Sequence, residues 1–346
     1  MSLDKLVDIR KNHLIKITAL QTWFDNNLKN YGMIKTIKQI VGGQSNPTFV
    51  LFLENKKKII LRKRPPGKLL PSAHDIAREY RIQKALETTS IPCPKMISFC
   101  EDSQIIGTAF YLMELVEGVV YENILEVRSL KSRKSIYLNL VKMSAKLHNI
   151  NFNSIGLNKY GKVGNYVERQ INRWEKQWYL SKKRDIPVMA KIIEWLKNNN
   201  PKRDETSIVH GDYRLGNVIY ENNSNNIKAL LDWELSTLGS PYADLGYLLH
   251  PHFIPFGQRH GLKNLDFKKE NIPSVKEIVE AYCNEKKIDI IDPYFYVILS
   301  MFRSTAILEG VYARYVEGNE SSPNAKEIGA DVEPLAKATY QIIKNL

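Results

Sequence analysis

Apolar and polar positions divide the chain into an early stretch with strand-like periodicity and a longer later one with helical periodicity. Ile40-Val41 and Phe49 to Leu53 are apolar runs flanking a loop of small residues. Lys58-Ile-Ile-Leu-Arg-Lys-Arg64 alternates, so that Ile60 and Arg62 share one face while Leu61 and Lys63 share the other. Met96 to Cys100 and Ala109 to Leu115 read as further strands. Between them, Ser72 to Leu86 pairs Ile76 with Tyr80 and Ile82 with Leu86 four residues apart, which predicts a helix with Ser72 as N-cap and Asp75 three residues on. Leu6 to Leu28 reads as a helical extension ahead of the strands. After Glu117, amphipathic stretches recur near Lys131 to His148, Tyr166 to Leu180, Ile186 to Asn198, Ser274 to Asn284, Tyr294 to Tyr315 and Asp331 to Leu346. Trp174 and Trp178 stand four apart on one helix face, a spacing that suits core better than a ligand cradle. Residues 1–32, 33–116 and 117–346 are therefore expected to form an extension, a small sheet region and a large helical region.

The 346 residues suffice for two separate cores. Three cysteines, Cys93, Cys100 and Cys283, make neither a metal-ligand spacing nor an even disulfide set, so a reducing, cytoplasmic setting is expected. The N-terminus lacks an apolar signal core, and no run approaches the roughly 18 to 20 apolar residues of a membrane span. The net charge of +13 raises nucleic-acid binding, but Lys56-Lys57-Lys58 and Lys182-Lys183-Arg184 lack interleaved stacking residues and read as solvated faces. A basic balance favours an anionic small molecule instead.

The chemistry gathers in Ile208-Val-His-Gly-Asp-Tyr-Arg-Leu-Gly-Asn217, where Asp212 and Asn217 stand five apart behind His210. Apolar runs enter and leave the loop, which fixes both polar side chains on a turn. Fifteen residues past Asn217, the run Ala229-Leu-Leu231 ends in Asp232-Trp233-Glu234. Phosphoryl transfer needs these groups: an acceptor for the incoming hydroxyl's proton, and oxygen ligands for the metal bridging the phosphates. Upstream, Gly42 and Gly43 let backbone approach phosphates, and Gln44, Ser45 and Asn46 offer donors, although an ordinary hairpin has the same pattern.

These motifs resemble the aminoglycoside phosphotransferase and choline kinase branch of the protein-kinase-like fold. The resemblance implies an α+β, bilobal molecule: a small antiparallel-sheet N-lobe over 33–116 that binds nucleotide, and a mostly helical C-lobe. It implies ATP and Mg2+ as cofactors, Asp212 as catalytic base, Arg214 steadying the moving phosphate, and Asn217 and Asp232 as metal ligands. It further implies that Gly43, Gln44, Ser45 and Asn46 cover the phosphates. Arg62 contacts them, with Lys63 as the alternative, and Glu79 pins Arg62. Met113 lies behind adenine, which the Glu114 and Val116 backbones bind. Asp244 resembles the acid that braces the catalytic-loop backbone, a first-turn helix acid being the plainer reading. His250, His252 and His260 read as a substrate lid or a surface loop, since nothing completes a ligand set with them.

Within the branch, the stretches Gly42 to Thr48, Leu61 to His74, Glu79-Tyr80-Arg81 and Asp232-Trp233-Glu234 resemble the kinase-like domain fused to acyl-CoA dehydrogenases. That subgroup implies a hydroxyacyl-CoA acceptor and a separate dehydrogenase in the same pathway. Only about ten residues separate Asp232 from Asp244, too few for a peptide-docking segment. The competing readings are an aminoglycoside or other small-molecule kinase, and a nucleotide-binding pseudokinase that regulates another protein.

Overall fold

A computed structural model describes residues 6–40, 46–65, 75–201, 205–318 and 324–346. In chain order, the first part comprises β1 (Leu6–Val7), α1 (Ile17–Asn27), β2 (Ile34–Ile40), β3 (Thr48–Leu53), β4 (Lys58–Lys63), α2 (Ile76–Leu86), β5 (Met96–Cys100), α3 (Ser103–Ile106) and β6 (Phe110–Glu114). Then follow α4 (Leu130–His148), α5 (Tyr166–Ser181), α6 (Val188–Asn198), β7 (Ser207–Val209), β8 (Val218–Tyr220), β9 (Ile227–Leu230), β10 (Thr237–Gly239) and α7 (Pro241–Leu249). The chain closes with α8 (Val275–Lys286), α9 (Tyr294–Val316), α10 (Ala325–Ala330) and α11 (Val332–Lys344). Two compact units result. One comprises Met1–Val120, Ile155–Leu157 and Gly216–Ser236, the other Tyr121–Ser154, Asn158–Leu215 and Thr237–Leu346.

The first unit is built on a six-stranded antiparallel sheet in the order β1-β2-β3-β4-β6-β5. Strand alternation sorts its side chains into two clusters. Ile59 and Leu61 join Phe49, Leu51, Phe110 and Leu112, packed with Phe24 of α1; Ile60 joins Val50, Met96, Tyr111 and Met113, packed with Ile76 of α2. Arg62 lies on the Ile60 side, as expected. Two expectations change. Leu6-Val7 does not open a helix: it pairs with Ile40 and Gln39, satisfying backbone groups at the sheet edge, and the helix starts only at Ile17. The helix after β4 is capped by Asp75, whose side chain accepts from the Arg78 N–H, while Ser72 lies outside the described residues. The β8–β9 hairpin completes the unit through a bridge between Val119 and Tyr220 and a bond from the Leu230 N–H to the Pro92 carbonyl at 2.8 Å.

In the second unit, helices surround the short β7–β10 pair. α8 carries a reciprocal capping box between Ser274 and Glu277. α6 begins at Val188, two residues after its expected start, because Pro187 serves as its N-cap residue. Trp178 is buried, as its spacing predicts. Gly246 of α7 approaches α9 so closely that a Cβ there would lie 2.3 Å from the Tyr296 carbonyl oxygen; no other residue fits without displacing backbone.

Candidate active site

In the first unit, β4 presents Arg62 and α2 presents Glu79, whose side chain is fully buried. Their charged groups stand 3.2 Å apart. The Tyr111 hydroxyl donates to the second Glu79 oxygen, Oε2, at 2.9 Å, and the Asn46 amide donates to Oε1. Burial pushes the Glu79 carboxyl above its usual range, while the Arg62 charge works against that rise. Arg62 also donates from Nη2 to Asp232 Oδ1 at 2.8 Å and lies 3.8 Å from Glu234. One guanidinium thus serves three carboxylates.

Asp232 adopts a left-handed backbone, φ +64°, between β9 and the turn Trp233–Leu235. Asp tolerates that conformation better than most residues, yet it carries a cost that the buried Trp233 indole, donating to the Leu230 carbonyl at 3.2 Å, helps to hold. The hairpin register continues past Val218↔Leu230, and the Asn217 carbonyl accepts from the Leu231 N–H at 2.8 Å. Asn217 is therefore placed beside the residue that precedes Asp232. An amide and a carboxylate are hard oxygen donors of the kind Mg2+ takes. Among the described residues no group of three or more His, Cys, Asp or Glu is arranged to hold a metal.

The Asn46 amide donates to Glu79, whose buried carboxylate requires donors. Gly43, Gln44 and Ser45 lie outside the described residues. Lys63, on the opposite face from Arg62, is buried and donates to the His13 carbonyl at 3.2 Å, which leaves Arg62 as the cation facing the acids. Met113 is buried in the Ile60 cluster, and the Glu114 N–H bonds the Lys95 carbonyl at 2.9 Å.

In the second unit, β7 delivers the loop that carries Asp212. Asp244 of α7, buried, accepts from the His210 N–H at 2.7 Å and from the Gly211 N–H at 2.9 Å. Gly211 has φ +85°, the left-handed turn that presents both N–H groups to one carboxylate. Asp244 is thus a brace rather than only a first-turn acid. His148 meets Asp244 at 3.2 Å through Nε2, and Tyr282 at 2.7 Å through Nδ1. Burial works to raise the Asp244 carboxyl, but the His148 hydrogen bond and charge, with His210 and the Gly211 N–H, hold it below its usual range.

Asp212 and Arg214 line one cavity of about 250 Å3. Arg214 Nε stands 3.8 Å from Asp212, and its Nη1 donates to Glu122 at 3.0 Å. Ile124, Leu248, Ile254 and Leu262 supply apolar wall; Arg259 and His260 add polar groups. His250 also lines the cavity; burial, with Arg259 nearby, pushes its ring down to about 3. His252 is neither lid nor surface. It is buried and bonds the Pro273 carbonyl at 3.0 Å. Tyr111, His148, Tyr247 and Tyr282 escape sequence reading, because nothing along the chain marks which distant group each one meets.

Each unit thus carries part of the motif set, on an α+β scaffold. The chain belongs to the phosphotransferase enzyme family, which it matches over residues 36–277, and is by family a small-molecule kinase of protein-kinase-like fold. It is similar to acyl-CoA dehydrogenase family member 10 of Mus musculus, 38% identical over 96% of this chain and 31% of that protein. It is also similar to acyl-CoA dehydrogenase family member 11 of Homo sapiens, 37% identical over 98% of this chain and 44% of that protein. The chain thus spans less than half the length of these relatives, and the expected likeness to dehydrogenase-associated proteins holds. A crystal structure of a candidate aminoglycoside phosphotransferase from Ralstonia eutropha is 37% identical, with a TM-score of 0.87 over 96% of this chain and 99% of that one. The GDP complex of aminoglycoside 2'-phosphotransferase-IIIa shares the fold at 13% identity, with a TM-score of 0.64 over 94% of this chain and 99% of that one. Among the described residues, no helix is long and apolar enough to cross a membrane.

Proposed function

We propose that this protein transfers the γ-phosphoryl group of ATP to the hydroxyl of a small anionic metabolite, a hydroxyacyl-CoA. The observation that carries the reading is the setting of Asp212, which opens on a cavity combining an apolar wall with Arg214, Arg259 and His260. An acyl chain suits the wall, and the phosphates of a CoA thioester suit the two arginines. Asp212 accepts the hydroxyl proton as the new O–P bond forms and the bond from the γ-phosphorus to the bridging oxygen breaks, ADP leaving, while Arg214 steadies the moving phosphoryl group. Arg62, pinned by Glu79, contacts the phosphates, while the loop from Gly43 to Asn46 covers them. Met113 and the Glu114 and Val116 backbones receive adenine. Asn217 and Asp232 would hold Mg2+, which when bound neutralises charge on the β- and γ-phosphates.

An aminoglycoside acceptor is a polycation and would meet those cavity cations, while the acids on the described wall, Glu122 and Asp212, both lie against Arg214. The similar structures named for aminoglycosides are what favour that second reading. A pseudokinase would have no need of Asp212, Asn217, Asp232, Arg62 and Glu79 together. Three free cysteines support a reducing, cytoplasmic setting, and the likeness to acyl-CoA dehydrogenase family members supports a separate dehydrogenase in the same pathway. Incubation with ATP, Mg2+ and a series of 3- and 4-hydroxyacyl-CoAs, beside kanamycin and free hydroxy acids, tests the acceptor by product mass. Phosphorylated kanamycin without thioester product rejects the acceptor; no turnover of any compound, with ATP bound, favours the pseudokinase.

A further inference from the structure

α7 carries two polar side chains three residues apart, Asp244 and Tyr247, and so presents both on one helical face. Asp244 holds the backbone of the loop before Asp212. Tyr247 and Asp212 line the same cavity, and the Asp212 carboxylate acts on the Tyr247 phenol. The ring of Tyr247 is itself fixed on two sides: His250 packs edge-on at 4.7 Å, and the Arg303 guanidinium lies 5.7 Å from its centre. The helix cannot slide easily, because Gly246 closes on the Tyr296 backbone and the Ser300 hydroxyl of α9 donates to the Gly246 carbonyl at 3.1 Å.

We propose that Tyr247 is a positioning residue for the transfer: its hydroxyl donates to one oxygen of Asp212 and turns the other towards the acceptor's hydroxyl. Asp244 then sets the loop's backbone and Tyr247 sets the carboxylate's rotation, from one helix. A carboxylate with one oxygen occupied offers the incoming hydroxyl a single direction of approach, which is what near-attack geometry requires. Burial, with the Asp212 charge, raises the Tyr247 phenol, so it stays protonated and acts as a donor. The inference rests on Asp212 being the base.

Tyr247→Phe keeps the ring and its contacts and removes only the donor. With ATP, Mg2+ and a hydroxyacyl-CoA, kcat should fall about ten- to a hundredfold with KM and Tm little changed, the loss expected for one hydrogen bond to a charged group. A readout independent of turnover is the 13C signal of the Tyr247 Cζ in tyrosine-labelled protein, assigned by its loss in Tyr247→Phe. That signal should move when Asp212→Asn replaces the carboxylate. An unmoved signal, or a Tyr247→Phe enzyme with full kcat, overturns the proposal. Full turnover by Asp212→Asn would instead remove the base reading beneath it, whereas an inactive Asp212→Asn beside a fully active Tyr247→Phe would reject this inference alone.

Discussion

Glu79 in the sheet-based unit and Asp244 in the helical unit are both buried carboxylates beside motif residues, yet they titrate in opposite directions. Asp244 receives two backbone N–H groups and a histidine of its own. Glu79 receives a tyrosine, an amide and a guanidinium that it shares with Asp232 and Glu234, so burial outweighs its share of the cation. Sole donors hold an acid below its usual range; shared donors leave it above. The first arrangement suits a fixed loop, and the second suits a cation that must also serve phosphates.

The largest effect that would break this comparison is on stability. Asp244→Ala leaves two buried N–H groups and a histidine without their acceptor and should cost about 3–5 kcal/mol in urea unfolding, as for breaking a buried charged network. A loss below about 1 kcal/mol would show that the brace is dispensable.

Next in size, Asp212→Asn should lower kcat by about a hundredfold or more while ATP affinity stays nearly constant, because the base acts on the transition state. Near-full turnover would remove Asp212 from the chemistry.

The pH dependence sharpens the contrast directly. The Asp244 carboxyl is depressed, so its contribution is present above its unfolded value near about 4 and is lost as pH falls through the folded one. The stability gap between wild type and Asp244→Asn should therefore narrow on acidification. The Glu79 carboxyl is raised, so its contribution is present below about 4.3 and lost as pH rises through its folded value. The gap between wild type and Glu79→Gln should narrow as pH increases. Parallel trends in the two titrations would contradict the opposite settings.

The smallest expected effect concerns the metal. Asp232→Ala should abolish the extra thermal stabilisation that Mg2+ adds to ATP, a few degrees in a melting scan, and Asn217→Ala should weaken it less. An unchanged magnesium increment in Asp232→Ala would take the metal away from this acid.

Much of this was legible in the chain alone, because local patterns encode it: alternation placed Ile60 and Arg62 on one face of β4, and helical spacing outlined α4, α5 and α9. The five-residue interval from Asp212 to Asn217, with Asp232 at a strand end, announced phosphoryl transfer without any coordinates. What tertiary structure decided is partnership. Asp75 caps α2, Asn46 turns its amide to Glu79, and Leu6-Val7 joins a sheet edge. His148 meets an acid 96 residues away in the chain, and Tyr247 shares a cavity with one 35 residues away. Such pairings depend on which buried groups need donors once the chain has closed on itself, and spacing along a sequence carries no record of that need.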